Sequence, residues 1–191
     1  VAGMLVAPLT LARTSLKPQR LSQVPGAGHA GREMQVFQVK ALGLEIWVDN
    51  QPTWDAEIVM NNGRPVFAAR PPELFDPPAA FTVAAWPEEK LPDLLIPAMA
   101  RNAIQTAAPN FGLSASQASG LIPKAATYGV LKGREADFVG RMQGIDMDVR
   151  IFVGQSSGRY PVVLTIYTPM GRVRQLADVI DRSWGQLAYM A

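Results

Sequence analysis

The segment from Ile145 to Val153 constrains the fold more than any other part of the chain, because apolar residues occupy every second position of it. Asp146, Asp148 and Arg150 take most of the positions between them. A repeat of two is the repeat of a β-strand, whose successive side chains point to opposite faces of a sheet. One apolar face and one wet face therefore indicate an antiparallel sheet that is covered on one side.

The neighbouring segments extend this strand into a meander with a helical cover. Residues 127–142 and 159–168 are also strand-like, and only short turns separate them from 145–153. In residues 173–187 apolar side chains recur with the 3.6-residue period of an α-helix. Burying one apolar side chain contributes about 1.5–3 kcal/mol, so this helix needs the sheet to lie on. The apolar stripe consists of Val173, Leu176, Ala177, Ile180, Trp184 and Leu187.

Further strands are predicted before residue 90. Residues 34–50 form two strands around a bend at Gly43. Residues 55–69 form a hairpin around Asn61-Asn62-Gly63, because Asn-Gly accepts the positive φ angles of a tight turn. Residues 81–86 make a fifth short strand.

A second helix is predicted between Asp93, which can cap it, and Pro109, which ends it. Residues 71–80 hold four prolines, and residues 109–126 are small and polar, so both are predicted to be loops. The predicted fold class is α+β, an antiparallel β-sheet of about 6–8 strands covered by two main helices. The apolar positions of the second helix are Leu95, Met99, Ala103 and Ala107.

Composition excludes several classes of site. The chain has no cysteine, which rules out disulfides, thiolate metal sites and cysteine nucleophiles. The net charge of +2 comes from residues 1–40, which carry five basic residues and one acidic residue. The rest of the chain is slightly acidic and does not interleave aromatic with basic residues, so we expect no nucleic-acid partner.

The beginning of the chain is predicted to stand apart from the domain. Residues 1–12 are apolar and uncharged, and they resemble either the end of an export signal or anchor, or a surface arm. Residues 17–33 hold two prolines and three glycines and indicate a flexible connector. The prediction is an N-terminal arm over 1–33, with proximity to a membrane as one option, and a single α/β sandwich domain over 34–191.

The glycine motif at residues 26–31 and His29 could suggest a chemical site, but their surroundings in the sequence favour a connecting segment. Residues 26–31 fit G-x-G-x-x-G, but no convincing strand precedes them and a period of two follows, so a dinucleotide site is not expected. His29 is the only histidine, and no G-x-S-x-G accompanies it, so a hydrolytic triad and a histidine-rich metal site are not expected. No cofactor is predicted.

Three carboxylates give the chain one candidate metal site. Asp146 and Asp148 share a strand face, and Asp137 can lie across the meander from them. Such a cluster could hold a divalent cation or act as acid and base. We favour the alternative that these carboxylates form a wet sheet face with Arg141 and Arg150.

Tryptophans supply the candidate binding residues. Trp54 and Trp86 stand beside loops and are predicted to contribute to a protein-binding surface, since aromatic side chains are common at interfaces. Trp184 lies on the apolar stripe of the last helix and is predicted to belong to the core.

The order of the elements, together with three segments, resembles the PsbP/Mog1-like α/β sandwich family, which includes bacterial DcrB-like proteins. The segments are GVLKGREADFVGRM from Gly129, GQSSGRYPVVLTIYTP from Gly154 and VIDRSWGQLAYM from Val179, with Gln51-Pro52-Thr53-Trp54 as a shorter match. The resemblance covers roughly residues 34–190 and implies a non-enzymatic accessory or chaperone-like protein, often exported and sometimes membrane-anchored. It transfers no functional residue.

The expected function is therefore a non-catalytic, exported accessory protein that binds another protein, in the periplasm or otherwise outside the cytoplasm. A cytoplasmic location is the alternative. Two other functions stay open at this point. One is a carrier of a small apolar ligand, with its pocket between the sheet and the loop at Pro71–Ala80. The other is a metal-dependent hydrolase that uses Asp137, Asp146 and Asp148.

Overall fold

Two antiparallel sheets build the protein. A computed structural model describes residues 12–26 and 31–191, and the apolar stretch 1–11 and His29 lie outside the described residues. In spatial order, the larger sheet consists of β1 (Arg13–Ser15), β5 (Asp55–Asn61), β6 (Arg64–Arg70), β7 (Ala80–Ala85), β11 (Val162–Pro169), β10 (Ile145–Gln155), β9 (Leu131–Met142) and β8 (Lys124–Tyr128). The smaller sheet consists of β12 (Ala188–Tyr189), β4 (Leu44–Asp49), β3 (Glu33–Val39) and β2 (Arg20–Gln23).

In the part of the chain that the structure describes, three α-helices accompany the sheets. They are α1 (Ile96–Ala107), α2 (Ala115–Ser119) and α3 (Ala177–Gly185). Short 3-10 turns extend α1 at both ends, at Asp93–Leu95 and Ala108–Phe111, and precede α3 at Val173–Leu176. The predicted cap was wrong, because Leu95 is the N-cap of α1 and the Asp93 carboxylate accepts from Gln155 and Ser157 instead. The predicted α+β class with an antiparallel sheet and two main helices is confirmed. Among the described residues, no helix is long and apolar enough to cross a bilayer.

The local predictions with the clearest patterns are also confirmed. β5 and β6 form the predicted hairpin, and Asn62 and Gly63 turn it with φ angles of 49° and 76°. β9, β10 and β11 form the predicted meander, with Asp137 opposite Arg150 and Asp146 opposite Arg141.

One face of the larger sheet packs against the smaller sheet and α3. The buried layer between them contains Phe37 and Ile46 from the smaller sheet, Phe67 and Leu164 from the larger sheet, and Trp184 from α3. An ion pair fixes α3 to the smaller sheet, because the Arg182 guanidinium donates to both carboxylate oxygens of Asp49 at 3.1 and 2.8 Å.

The other face of the larger sheet carries α1, so the expectation of a sheet covered on one side by the last helix was wrong: α1 covers the apolar face of β10, and α3 packs on the opposite face. Ala100 and Ile104 of the helix pack on Val149, Ile151 and Val153 of β10. The helix begins at Ile96 and covers the middle of β9 and β10. The start of β9 and the end of β10, around Lys132 and Gln155, are left beside the first turn of the helix.

Two segments predicted to lack structure contain regular elements. The predicted N-terminal arm over 1–33 contains β1, which pairs with β5, and its connector at 17–33 contains β2, which pairs with β3. The predicted loop at 109–126 contains α2, which a capping box between Ser114 and Gln117 starts, and the beginning of β8. These elements are three to five residues long, too short to show a sequence period, and pairing or capping at their ends stabilises them.

Candidate functional site

A cleft opens where β8 and β9 pass the beginning of α1. Its volume is about 560 Å³, which lies in the range of sites for small ligands or peptide side chains. Ile96 and Pro97 from α1, Ala125 from β8 and Val130 from the turn that joins β8 and β9 supply its apolar walls. Its polar groups belong to Asp93, Lys132, Arg134, Gln155, Ser156 and Ser157.

Gln155 places a buried, unpartnered acceptor in this lining. The side chain is 2% exposed, and its Nε2 donates to the Leu91 carbonyl at 2.8 Å and to Asp93 Oδ1 at 2.9 Å. Both amide protons are therefore used, while Oε1 has no hydrogen-bond partner among the described residues. A buried polar atom in this state costs about 1–3 kcal/mol, so an incoming donor has something to satisfy.

Asp93 holds Gln155 in this orientation. Its second carboxylate oxygen accepts a hydrogen bond of 2.6 Å from the Ser157 hydroxyl. The hydrogen bond from Ser157, and then the one from Gln155, lower the pKa of Asp93 below its ordinary value. The carboxylate stays ionised and occupied, which suits a structural anchor and not a proton acceptor near neutral pH.

Two cations on β9 give the cleft a positive charge. Lys132 and Arg134 lie two residues apart, so they share the face of the sheet that carries α1. Arg134 donates to the Pro123 carbonyl at 3.2 Å, and neither side chain takes part in the ion pairs of β9 and β10, which lie on the opposite face. An adjoining groove of about 330 Å³ shares Pro97 and Arg134 and brings Arg101 to the same region.

The rim of the cleft is the last strand of the larger sheet. A turn of two residues joins β8 to β9, and Tyr128 lies opposite Leu131. In a hairpin of this kind the residues on either side of the turn form a hydrogen-bonded pair, and hydrogen-bonded and non-hydrogen-bonded pairs alternate from there. Ala125 and Thr127 are in the non-hydrogen-bonded pairs, so their N–H and C=O groups point away from β9. Lys124, Ala125 and Thr127 are exposed.

The predicted acidic cluster is on the opposite face, and each carboxylate there is occupied. The Arg150 guanidinium donates to both oxygens of Asp137 at 2.7 Å. Asp146 lies 3.6 Å from Arg141, and Asp148 accepts from the Val173 N–H at 3.1 Å. The described residues contain no group of three side chains arranged to hold a metal ion. Two of the three carboxylates therefore pair with arginines, Asp137 with Arg150 and Asp146 with Arg141, and Asp148 pairs with the backbone.

A tyrosine completes that network. Tyr128 donates to Glu135 Oε2 at 2.5 Å and packs edge-on against Phe152 and Trp184, with ring centroids 5.0 Å apart in both pairs. Burial, followed by the hydrogen bond to Glu135, raises the pKa of Tyr128. The hydrogen bond with Asp137 raises the pKa of Arg150, so this cluster is held in one charge state.

The two tryptophans predicted to bind a partner lie in the interior. Trp54 is 1% exposed and contacts Phe75 and Phe81, with ring centroids 5.4 and 5.8 Å apart. Trp86 is 8% exposed, and the Arg64 guanidinium lies 5.9 Å from its ring centre. In this structure neither indole forms an exposed surface. Phe75 comes from the proline-rich loop, so its ring fills space in which we expected a pocket for an apolar ligand.

Sequence reasoning missed the cleft, although one readable signal existed. The α1-facing positions of β10 run Val149, Ile151, Val153 and then Gln155, so a polar residue ends an apolar face. That interruption marks Gln155. The location of its partners, Leu91 and Asp93, about sixty residues earlier in the chain, has no such signal.

No family model and no curated protein matches the chain. A solved structure from Bacteroides thetaiotaomicron VPI-5482 matches with a TM-score of 0.54 and 10% sequence identity, over 82% of this chain and 48% of that one. This chain therefore spans about half the length of that protein, and the likeness indicates a related fold. LpqN from Mycobacterium tuberculosis, described as involved in cell envelope biogenesis, matches over 97% of this chain and 87% of its own at 14% identity. Its TM-score of 0.31 does not establish a shared fold.

Proposed function

We propose that this protein is a non-catalytic accessory protein that binds an extended segment of a partner protein along β8. The observation that carries the proposal is the exposed edge of β8 directly beside a cleft with an unpartnered buried oxygen. An added strand gains affinity from main-chain hydrogen bonds and specificity from pockets for its alternate side chains. Ala125 and Thr127 offer the first, and the cleft offers the second.

The chemistry of the cleft supports binding over catalysis. The Ser157 hydroxyl donates a hydrogen bond to Asp93, and the lowered pKa of Asp93 disfavours its use as a general base. A nucleophile needs an adjacent base that accepts its proton at working pH. No histidine is among the described residues that line the cleft.

The family and the compartment are part of the same proposal. The element order and the three quoted segments support a relationship with PsbP/Mog1-like and DcrB-like proteins, whose accessory roles fit a binding domain. The apolar residues 1–12 support export, and the basic residues after them support proximity to a membrane. Fractionation of cells that express the full chain tests this part, and recovery only from the cytoplasm would refute it.

A proline at Thr127 tests the strand addition. Thr127→Pro removes an N–H that points away from β9, so it blocks pairing with a partner and leaves the sheet bonds intact. Ser15→Pro is the matched control. Ser15 lies on the edge strand at the other end of the sheet, and it is likewise in a non-hydrogen-bonded pair, so its N–H points away from β5. We expect a phage library of short random peptides to enrich on the wild type and on Ser15→Pro, and not on Thr127→Pro.

Amide exchange gives an independent result. Peptides enriched on the wild type should protect the amides of Ala125 and Thr127, which exchange freely in the unbound protein. The amide of Ala126 bonds to β9 and should be protected in both states. Equal enrichment on Thr127→Pro, or protection elsewhere on the surface, would show that β8 is not the binding edge.

A further inference from the structure

We infer that the cleft selects a glutamate side chain of the segment bound along β8, and that Lys132 and Arg134 bind its carboxylate. This inference rests on the proposed strand addition and adds the chemical class of the partner.

Charge favours an anion. Lys132 and Arg134 form no ion pair within residues 12–26 and 31–191, and Arg101 adds a further positive charge in the adjoining groove. The acidic residue of the described lining is Asp93, whose oxygens already accept from Ser157 and Gln155. A carboxylate that enters this cleft therefore meets two cations, of which Lys132 also attracts Asp93, and an anion whose oxygens already accept hydrogen bonds.

Reach favours glutamate over aspartate. Lys132 lies opposite Thr127, and Arg134 lies opposite Ala125, so these four side chains point to the same face. An added strand lies two strand spacings from β9, roughly 10 Å. A glutamate that passes over the small Ala125 or beside Thr127 spans that distance together with an extended lysine or arginine, and aspartate is one methylene shorter. Ile96, Pro97 and Val130 line the path with apolar surface for the methylenes.

Gln155 lies on the other side of Lys132 from the bound segment. The two residues are directly opposite each other in β9 and β10, where Cβ atoms are about 5 Å apart. In the unbound protein Lys132 can turn towards β10 and donate to Gln155 Oε1, whereas a lysine that extends over β8 to an added strand points the other way. Gln155 therefore acts as a positioning residue for the unbound lysine, and it does not contact the carboxylate.

Four peptides with one changed position test the inference. The probe is acetyl-Thr-Val-Thr-Val-Glu-Val-Thr-Val-Thr-amide, with Gln, Asp or Lys in place of Glu in the other three. We expect the wild type to bind the glutamate peptide about tenfold more tightly than the glutamine peptide, with aspartate between them and lysine weakest. Lys132→Met should reduce the preference for glutamate over glutamine, and the double variant Lys132→Met/Arg134→Met should remove it.

Arg141→Met is the matched control, because Arg141 is on the same strand and faces the other way. It should keep the full preference. Equal binding of the glutamate and glutamine peptides by the wild type would overturn the inference, and sensitivity of both peptides to Thr127→Pro would show that strand addition still holds. Binding that Thr127→Pro does not reduce, or no binding of any peptide, would overturn both proposals.

Discussion

Strands β9 and β10 carry polar side chains on both faces, and the two faces treat them in opposite ways. On the face towards α3, Arg150 joins Asp137 and Tyr128 in a network in which each charge has a partner. On the face towards α1, Lys132 has no ion pair and Gln155 keeps a buried oxygen without a donor. The residue types are similar, so the difference lies in what packs on each face. A closed network stabilises the fold, and an incomplete one is available to a partner.

The largest expected effect comes from the core that packs beneath the network of Arg150, Asp137 and Tyr128. Trp184 is 1% exposed and contacts Tyr128, so Trp184→Ala should lower the free energy of unfolding by about 3–5 kcal/mol. Leu94→Ala, at an 88% exposed position beside the cleft, should change it by less than about 0.5 kcal/mol. Urea denaturation measures both, and similar losses for the two variants would contradict the assignment of the core to the α3 face.

The same substitution on the two faces gives the next test. Arg150→Met leaves Asp137 and Glu135 without their cation and should cost about 1.5–3 kcal/mol. Lys132→Met removes a cation that has no ion pair and should stay within about 0.5 kcal/mol of the wild type. If Lys132→Met destabilises the protein as much as Arg150→Met does, the cleft is a structural element and not a free site.

Alkaline pH should weaken the closed side first. Burial raises the pKa of Tyr189 to about 12, and it raises the pKa of Tyr128 as well. An unfolded tyrosine titrates near pH 10, so both groups contribute stability that is fully present below about pH 10 and falls as the pH rises towards 12. Urea denaturation at increasing pH should show this loss, and Tyr128→Phe should make it shallower. A flat profile in the wild type would refute it.

The smallest effect is expected in the cleft at acid pH. The hydrogen bond from Ser157, and then the one from Gln155, lower the pKa of Asp93. The ionised carboxylate therefore stabilises the fold at pH values above the ordinary pKa of an aspartate, and this stabilisation is lost as the pH falls through the lowered pKa. NMR titration of the Asp93 carboxyl should give a pKa below 3.8. Ser157→Ala should bring it closer to that value, and no change in this variant would mean that Ser157 is not the main cause.

The sequence predicts elements that carry their own pattern. The alternation of β10, the apolar stripe of α3 and the Asn-Gly turn of β5 and β6 are local, and the structure contains all three. β1, β2 and β8 depend on a partner strand and have no pattern within their own few residues.

The candidate site was harder to predict than the fold for the same reason. The alternation of β10 was enough to predict that Asp137 and Arg150 share a polar sheet face, although it did not predict that these two residues pair. The state of Gln155 depends on Leu91 and Asp93, which only the packing of α1 brings to it. Trp54 is next to a loop in sequence, yet Phe75 covers it from another part of the chain.

The ion pair between Asp49 and Arg182 also sets an order of assembly. β3 and β4 come from the first quarter of the sequence, whereas α3 and β12, which cover and extend them, come from the last twenty residues or so. During synthesis, β5, β6 and β7 leave the ribosome before α3, so they can cover part of the apolar face of the smaller sheet early. Asp49 and Arg182 are 133 positions apart in the sequence, and contacts so distant along the chain close slowly. The part of the smaller sheet beneath α3 is therefore completed late in folding.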